Sequence, residues 1–187
     1  TLKYLLYDIH NLEELLVRDR FQDHDKESLD MFIDSVKEFA DRELFPYVKE
    51  MDENPAYHKD GKVFVHDQVK TMMYKGGEMG LISAPFNYED GGMQIPFLSH
   101  TAATYILDAA NNHLPGYAGL TQGAAELIIH FANKELNQTY VPNMLSGQWG
   151  GTMCLTEPQA GSSLSDIVTK ATPTQDGYYK LTGQKTF

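Results

Sequence analysis

Apolar residues recur every three to four positions along most of this chain, and that spacing predicts a succession of helices. Leu5, Leu6, Ile9, Leu12, Leu15 and Leu16 place a helix over residues 2–18. Polar residues break the pattern, and Asp25 then suits the N-cap of a long amphipathic helix carrying Leu29, Phe32, Ile33, Val36, Phe39 and Ala40 on one face. Pro46 is expected to kink this helix and Asn54-Pro55 to end it. A third helix is expected over about 64–78, with Val65, Val69, Met72 and Met73 on one face and Gly76-Gly77 and Gly80 marking a frayed end. Turn residues fill Pro85 through Gly92. Helical spacing resumes over 96–111 and again near 120–132 and 134–145.

The pattern changes near Trp149, where Gly, Thr and β-formers take over. Asp176-Gly177 reads as a tight turn, and alternation over Tyr178–Thr182 reads as a strand. A boundary is therefore expected at 147–150, dividing an N-terminal extension (1–23) and a helical domain (24–148) from the start of a β-domain (149–187). The last segment holds about 40 residues, too few to bury a core of its own. An incomplete β-domain is the natural inference, and the fold class is mainly α.

Composition narrows the function classes. The hydrophobic content of 42% supports a substantial core, and a net charge of −11 disfavours nucleic acid or anionic membranes as partners. No stretch approaches the roughly 20 apolar residues of a membrane span. The first residues lack the long apolar run of a secretory leader. A single cysteine, Cys154, allows no intrachain disulfide, so a reducing, cytoplasmic setting is expected, with the thiol buried in a strand. The 7 histidines show no metal-ligand spacing, and no metal site is assigned. Asp30, Asp34, Glu38 and Glu43 fall on polar helix faces and are expected to meet solvent, while Trp149 is expected in the core.

The candidate chemistry lies in Met153-Cys154-Leu155-Thr156-Glu157-Pro158-Gln159-Ala160-Gly161-Ser162-Ser163. An apolar run ends in Thr, a Pro-containing bend follows, and a Gly-Ser-Ser loop closes the segment. Backbone at Leu155 and Thr156 can meet the polar rim of a flat ring, and N–H groups around Gly161-Ser162 can cradle phosphate. An ordinary strand and turn, with Thr and Ser closing local hydrogen bonds, fits the same residues.

Leu155-Thr156-Glu157-Pro158-x-Ala160-Gly161-Ser162, with Asp176 through Phe187 after it, resembles the signature region of the acyl-CoA dehydrogenase family of flavoproteins. Met79-Gly80-Leu81-Ile82, Glu89-Asp90-Gly91-Gly92-Met93 and Asn133 through Gly147 are similar to family segments preceding that signature. Residues 1–23 look like the N-terminal extension of a larger bacterial-type subgroup. The resemblance implies an N-terminal helical domain followed by the truncated start of a middle β-barrel domain. It implies FAD, with Met153, Leu155 and Thr156 along the flavin ring, and Gly161 and Ser162 at the pyrophosphate. Ser162 would also meet the acyl-CoA thioester arm, and Phe187 would pack near the isoalloxazine. Pro115-Gly116-Tyr117 would lie near the acyl-chain cavity. The sequence departs from the family at Ser163, where Asp is usual, and it stops just before the family's Ile-Ser/Thr.

The implied activity is α,β-desaturation of an acyl-CoA thioester, with electrons passed to an electron-transferring flavoprotein, in a homodimer or homotetramer. The family's catalytic Glu comes from a C-terminal helical domain, so no catalytic residue is assigned in this chain, and the chain by itself is expected to be inactive. Glu157 occupies a non-catalytic family position and is read as structural. Two other readings stay open: an acyl-CoA oxidase or flavin monooxygenase of the same fold, and a non-catalytic helical interaction module.

Overall fold

The computed structural model describes residues 1–186. Helices α1 (Leu2–Tyr4), which runs into a π-helical turn (Leu5–Ile9), α2 (Glu13–Leu16), α3 (Lys26–Phe39) and α4 (Val48–Glu53) come first. A hairpin follows, β1 (Tyr57–Lys59) with β2 (Lys62–Phe64), and then α5 (Gln68–Glu78), α6 (Phe97–Asn111), α7 (Pro115–Phe131) and α8 (Lys134–Leu145). A second hairpin, β3 (Lys170–Pro173) with β4 (Tyr179–Thr182), follows further on. Contacts divide the molecule into two units, Thr1–Gly151 and the residues from Thr152 onward.

The helical unit is built as its apolar spacing requires. Leu29, Phe32, Ile33, Val36 and Phe39 all point inward from α3, which packs against α6. Asp25 does cap α3: its carboxylate accepts the Ser28 N–H at 2.7 Å, and the Ser28 hydroxyl accepts the Asp25 N–H at 2.9 Å, a capping box. After α3 the chain continues through a π-helical turn (Ala40–Leu44) and a 3-10 turn (Phe45–Tyr47), with Pro46 at the start of the latter. Proline's missing N–H and fixed φ account for the change of helical type there. Helix α4 ends at Glu53, ahead of Asn54-Pro55.

Several expectations need correction. Residues 2–18 do not form one helix, because Asn11 adopts φ 48° and separates α1 and its π-turn from α2. Leu6 and Leu12 are nevertheless buried, so the apolar spacing reports burial across the break. Residues 57–64 form an exposed hairpin, and α5 starts only at Gln68, leaving Val65 exposed. The signal was Asp60-Gly61, whose φ values of 51° and 75° fit the type I′ turn that joins two short strands.

Gly76 and Gly77 are not frayed. A Cβ at Gly77 would lie 2.1 Å from the Ser146 carbonyl oxygen, so glycine allows α5 to approach the end of α8. The helix stops cleanly at Gly80 (φ 75°), with the Leu81 N–H on the Gly76 carbonyl at 2.8 Å and the Gly80 N–H on the Gly77 carbonyl at 2.9 Å. That pair of bonds is a Schellman motif.

Charged residues of the first 24 positions tie onto the helices. Lys3 lies 3.0 Å from Asp34 and 3.4 Å from Asp30, and the Tyr7 hydroxyl donates to Asp30 at 2.8 Å. Asp30 is therefore engaged on a half-covered face, whereas Asp34 and Glu38 do face solvent. Glu43 is likewise half-buried and holds Lys75 at 2.7 Å. Trp149 is exposed, set edge-on against Tyr140 at 5.6 Å.

Candidate functional site

The segment 152–156 belongs to no helix, strand or turn among the described residues. With no neighbouring strand over it, the Met153, Cys154 and Leu155 side chains are exposed, and the expectation of a buried thiol in a strand is overturned. Glu157 to Ala160 then closes a tight turn. The Glu157 N–H donates to the Ala160 carbonyl at 2.9 Å, and the Ala160 N–H donates back at 3.1 Å, around Pro158. Gly161, Ser162 and Ser163 leave this turn exposed.

Their backbone is open as well. Among the described residues, no group accepts a hydrogen bond from the N–H of Leu155, Thr156, Gly161, Ser162 or Ser163. A Cβ at Gly161 would meet nothing within 4 Å. The loop thus presents successive free donors with room for a group to approach, which suits an anion. The carbonyls beside it are already used: Leu155 accepts from Lys185 Nζ at 3.0 Å, and Thr156 accepts from the Thr186 N–H at 2.9 Å. At 155–156 the two N–H groups are the backbone groups without a described partner, while each carbonyl already accepts one bond.

Phe187 lies outside the described residues, so only Met153, Leu155, Thr156, Gly161 and Ser162 of the expected set fall within the segment as described. Elsewhere, Pro115 is buried at the first turn of α7, Gly116 borders open space, and Tyr117 is exposed. No cluster of metal-ligating side chains occurs among the described residues. No helix among the described residues is long and apolar enough to cross a membrane.

Sequence reasoning left Glu157 as a structural residue without partners, and the structure supplies them. Its side chain is 1% exposed. Its carboxylate accepts from Gln159 Nε2 at 2.7 Å, the Val168 N–H at 2.9 Å, the Thr169 N–H at 3.0 Å and Lys185 Nζ at 2.9 Å. Its pKa is held well below the usual carboxylate range by the Thr169 side chain beside it first, then by the Val168 N–H, with Lys185 and the Thr169 N–H adding to them against the opposing effect of burial. A carboxylate so engaged is a poor proton acceptor.

Comparison with known proteins bears on this geometry. Residues 26–148 match the family described as acyl-CoA dehydrogenase, N-terminal domain. The chain is 35% identical over 129 residues to 3-methylmercaptopropionyl-CoA dehydrogenase of Ruegeria pomeroyi, covering 69% of this chain and 22% of that protein. It is 30% identical over 191 residues to a butyryl-CoA dehydrogenase of Syntrophomonas wolfei, covering 100% of this chain and 31% of that protein. A solved acyl-CoA dehydrogenase from Bacillus anthracis, complexed with FAD, superimposes with a TM-score of 0.71 at 23% identity, over 87% of this chain and 27% of that one. That last likeness concerns the fold alone. The chain spans less than a third of the length of these two curated relatives.

Proposed function

The chain belongs to the acyl-CoA dehydrogenase family, and from that premise we propose that it forms the N-terminal helical domain and the start of the middle β-domain of an FAD-dependent acyl-CoA dehydrogenase. The parent enzyme desaturates an acyl-CoA thioester between its α and β carbons and passes the electrons to an electron-transferring flavoprotein. The observation that carries this reading is the loop at 155–163, with its unclaimed N–H groups and the open space beside Gly161.

In this reading Met153, Leu155 and Thr156 border the flavin ring, and the backbone donors of Leu155 and Thr156 meet acceptors on its rim. The Gly161 and Ser162 N–H groups donate to the pyrophosphate, and Ser162 also meets the thioester arm of the substrate. Phe187 packs near the ring. FAD, when bound, supplies the hydride acceptor. This chain contributes orientation and hydrogen-bond donors, and the proton-abstracting carboxylate comes from elsewhere in the parent enzyme, because Glu157 is committed to its own network. The chain alone is then inactive. The assembled enzyme is a soluble cytoplasmic homodimer or homotetramer.

The test is to express the full polypeptide that carries this chain, record its visible spectrum, and assay a panel of acyl-CoA thioesters with an artificial electron acceptor. Flavin absorbance together with turnover of at least one thioester is the expected result. A folded protein without flavin sinks the proposal.

A further inference from the structure

The buried carboxylate of Glu157 does more than close a turn. It is joined to Lys185, whose ammonium bridges from Glu157 Oε1 at 2.9 Å to the Leu155 carbonyl at 3.0 Å. Lys185 is itself largely covered, with its side chain 25% exposed. A trans peptide is planar, with its C=O and the following N–H pointing in opposite directions. Holding the Leu155 carbonyl on Lys185 therefore fixes the direction of the Thr156 N–H, which faces away from Lys185 and has no acceptor among the described residues. The next peptide obeys the same rule. The Thr156 carbonyl is held by the Thr186 N–H at 2.9 Å, and the Glu157 N–H points the other way, into the turn, at the Ala160 carbonyl.

We propose that Lys185, anchored by Glu157, is a positioning residue that aims the Thr156 N–H at the flavin rim. This rests on the reading of 155–163 as the flavin loop, and it assigns the aim of that donor to two side chains outside the ring contact. An ammonium needs a fixed counter-charge to hold one carbonyl in place, because a lysine side chain has many rotamers to lose. Glu157 provides that charge from a site closed by Gln159, Val168 and Thr169. The lowered pKa of Glu157 agrees with a carboxylate that stays charged near neutral pH.

The experiment compares Lys185→Met, Lys185→Arg, Glu157→Gln and the double variant Glu157→Gln/Lys185→Met in the full polypeptide. FAD affinity is read by flavin fluorescence quenching and the ring environment by the visible flavin spectrum. In the flavin-free protein, the amide chemical shift of Thr156 is followed by NMR. Lys185→Met and Glu157→Gln should each weaken FAD binding about tenfold, as the loss of one well-placed hydrogen bond does. Both should shift the flavin band and the Thr156 amide signal, while Lys185→Arg, which keeps a charged donor, stays near wild type. The double variant leaves no unpaired charge, so it folds even where Lys185→Met does not, and it should show the same weakened binding. Folded variants with wild-type affinity, spectrum and Thr156 shift overturn the inference and leave the proposed function standing. A wild-type protein that takes up no FAD overturns both.

Discussion

Leu29 and Leu181 are the same side chain in two kinds of structure. Leu29, on α3, is 0% exposed and shares the inward face of its helix with Phe32, Ile33 and Val36, while Leu181, on β4, is 74% exposed. The contrast holds for the regions around them. The helical unit is held by a continuous apolar core running from Leu6 to Leu145. In the second unit, by contrast, every residue of β3 and β4 is exposed, and among the described residues the buried side chains are Glu157 and Ala160. One region gains its stability from the removal of apolar surface from water. The other is organised by one charged group and the donors gathered around it. A hairpin of two short strands has little independent stability in water, so the Glu157 network is what gives residues 155–169 a defined shape.

The largest expected effect tests the first half of this contrast. Leu29→Ala should destabilise the helical unit by about 2–5 kcal/mol, measured by denaturant unfolding monitored by far-ultraviolet circular dichroism. A loss below 1 kcal/mol would mean that α3 is not part of one packed core. Gly77→Ala comes next, at about 1–3 kcal/mol, because the added methyl group meets the backbone at Ser146 rather than a yielding side chain. Asn133→Ala should cost about 1 kcal/mol by removing the oxygen that caps α8 through the Leu136 N–H at 2.9 Å.

Acid should separate the two regions by window. Burial lowers the pKa of His100 on α6, with Gln122 acting in the opposite sense. Its neutral form is favoured in the folded state, so this contribution is complete above the ordinary value of 6.5 and declines as pH falls below it. Glu157 is also depressed, from an ordinary value of 4.5, so its contribution is complete above that value and is lost only as pH falls further. As pH falls, protection against amide exchange, relative to the intrinsic rate at each pH, should therefore decline in α6 at a higher pH than at Val168 and Thr169, and the reverse order would contradict the assignment. The smallest effect completes the comparison: Leu181→Ala in this chain should change stability by less than about 0.5 kcal/mol, because a residue already in water has little transfer free energy to lose.

The helical unit was readable in advance for the same reason that it is stable. Leu29, Phe32, Ile33, Val36 and Phe39 recur with the helical period because one face must be buried, and Asp25 carries a cap that needs only Ser28 three residues on. The hairpin at 57–64 escaped that logic because none of its strand residues is buried, leaving Asp60-Gly61 as the one local sign. Asn11 interrupts the first helix although the leucine spacing on either side continues. Periodicity reports which side chains are covered, not whether the backbone between them is continuous.

The order of residues in Leu155 through Ser162 was enough to mark the loop and the family, since a strand-like run, a proline turn and a Gly-Ser step are local features. What sequence could not supply was the partnership of Glu157 with Val168, Thr169 and Lys185, or the capture of the Leu155 carbonyl by that lysine. Those groups stand up to 30 residues apart along the chain. No spacing rule links them, because a buried charge selects its partners by distance in three dimensions, and only the folded chain sets which donors come within reach.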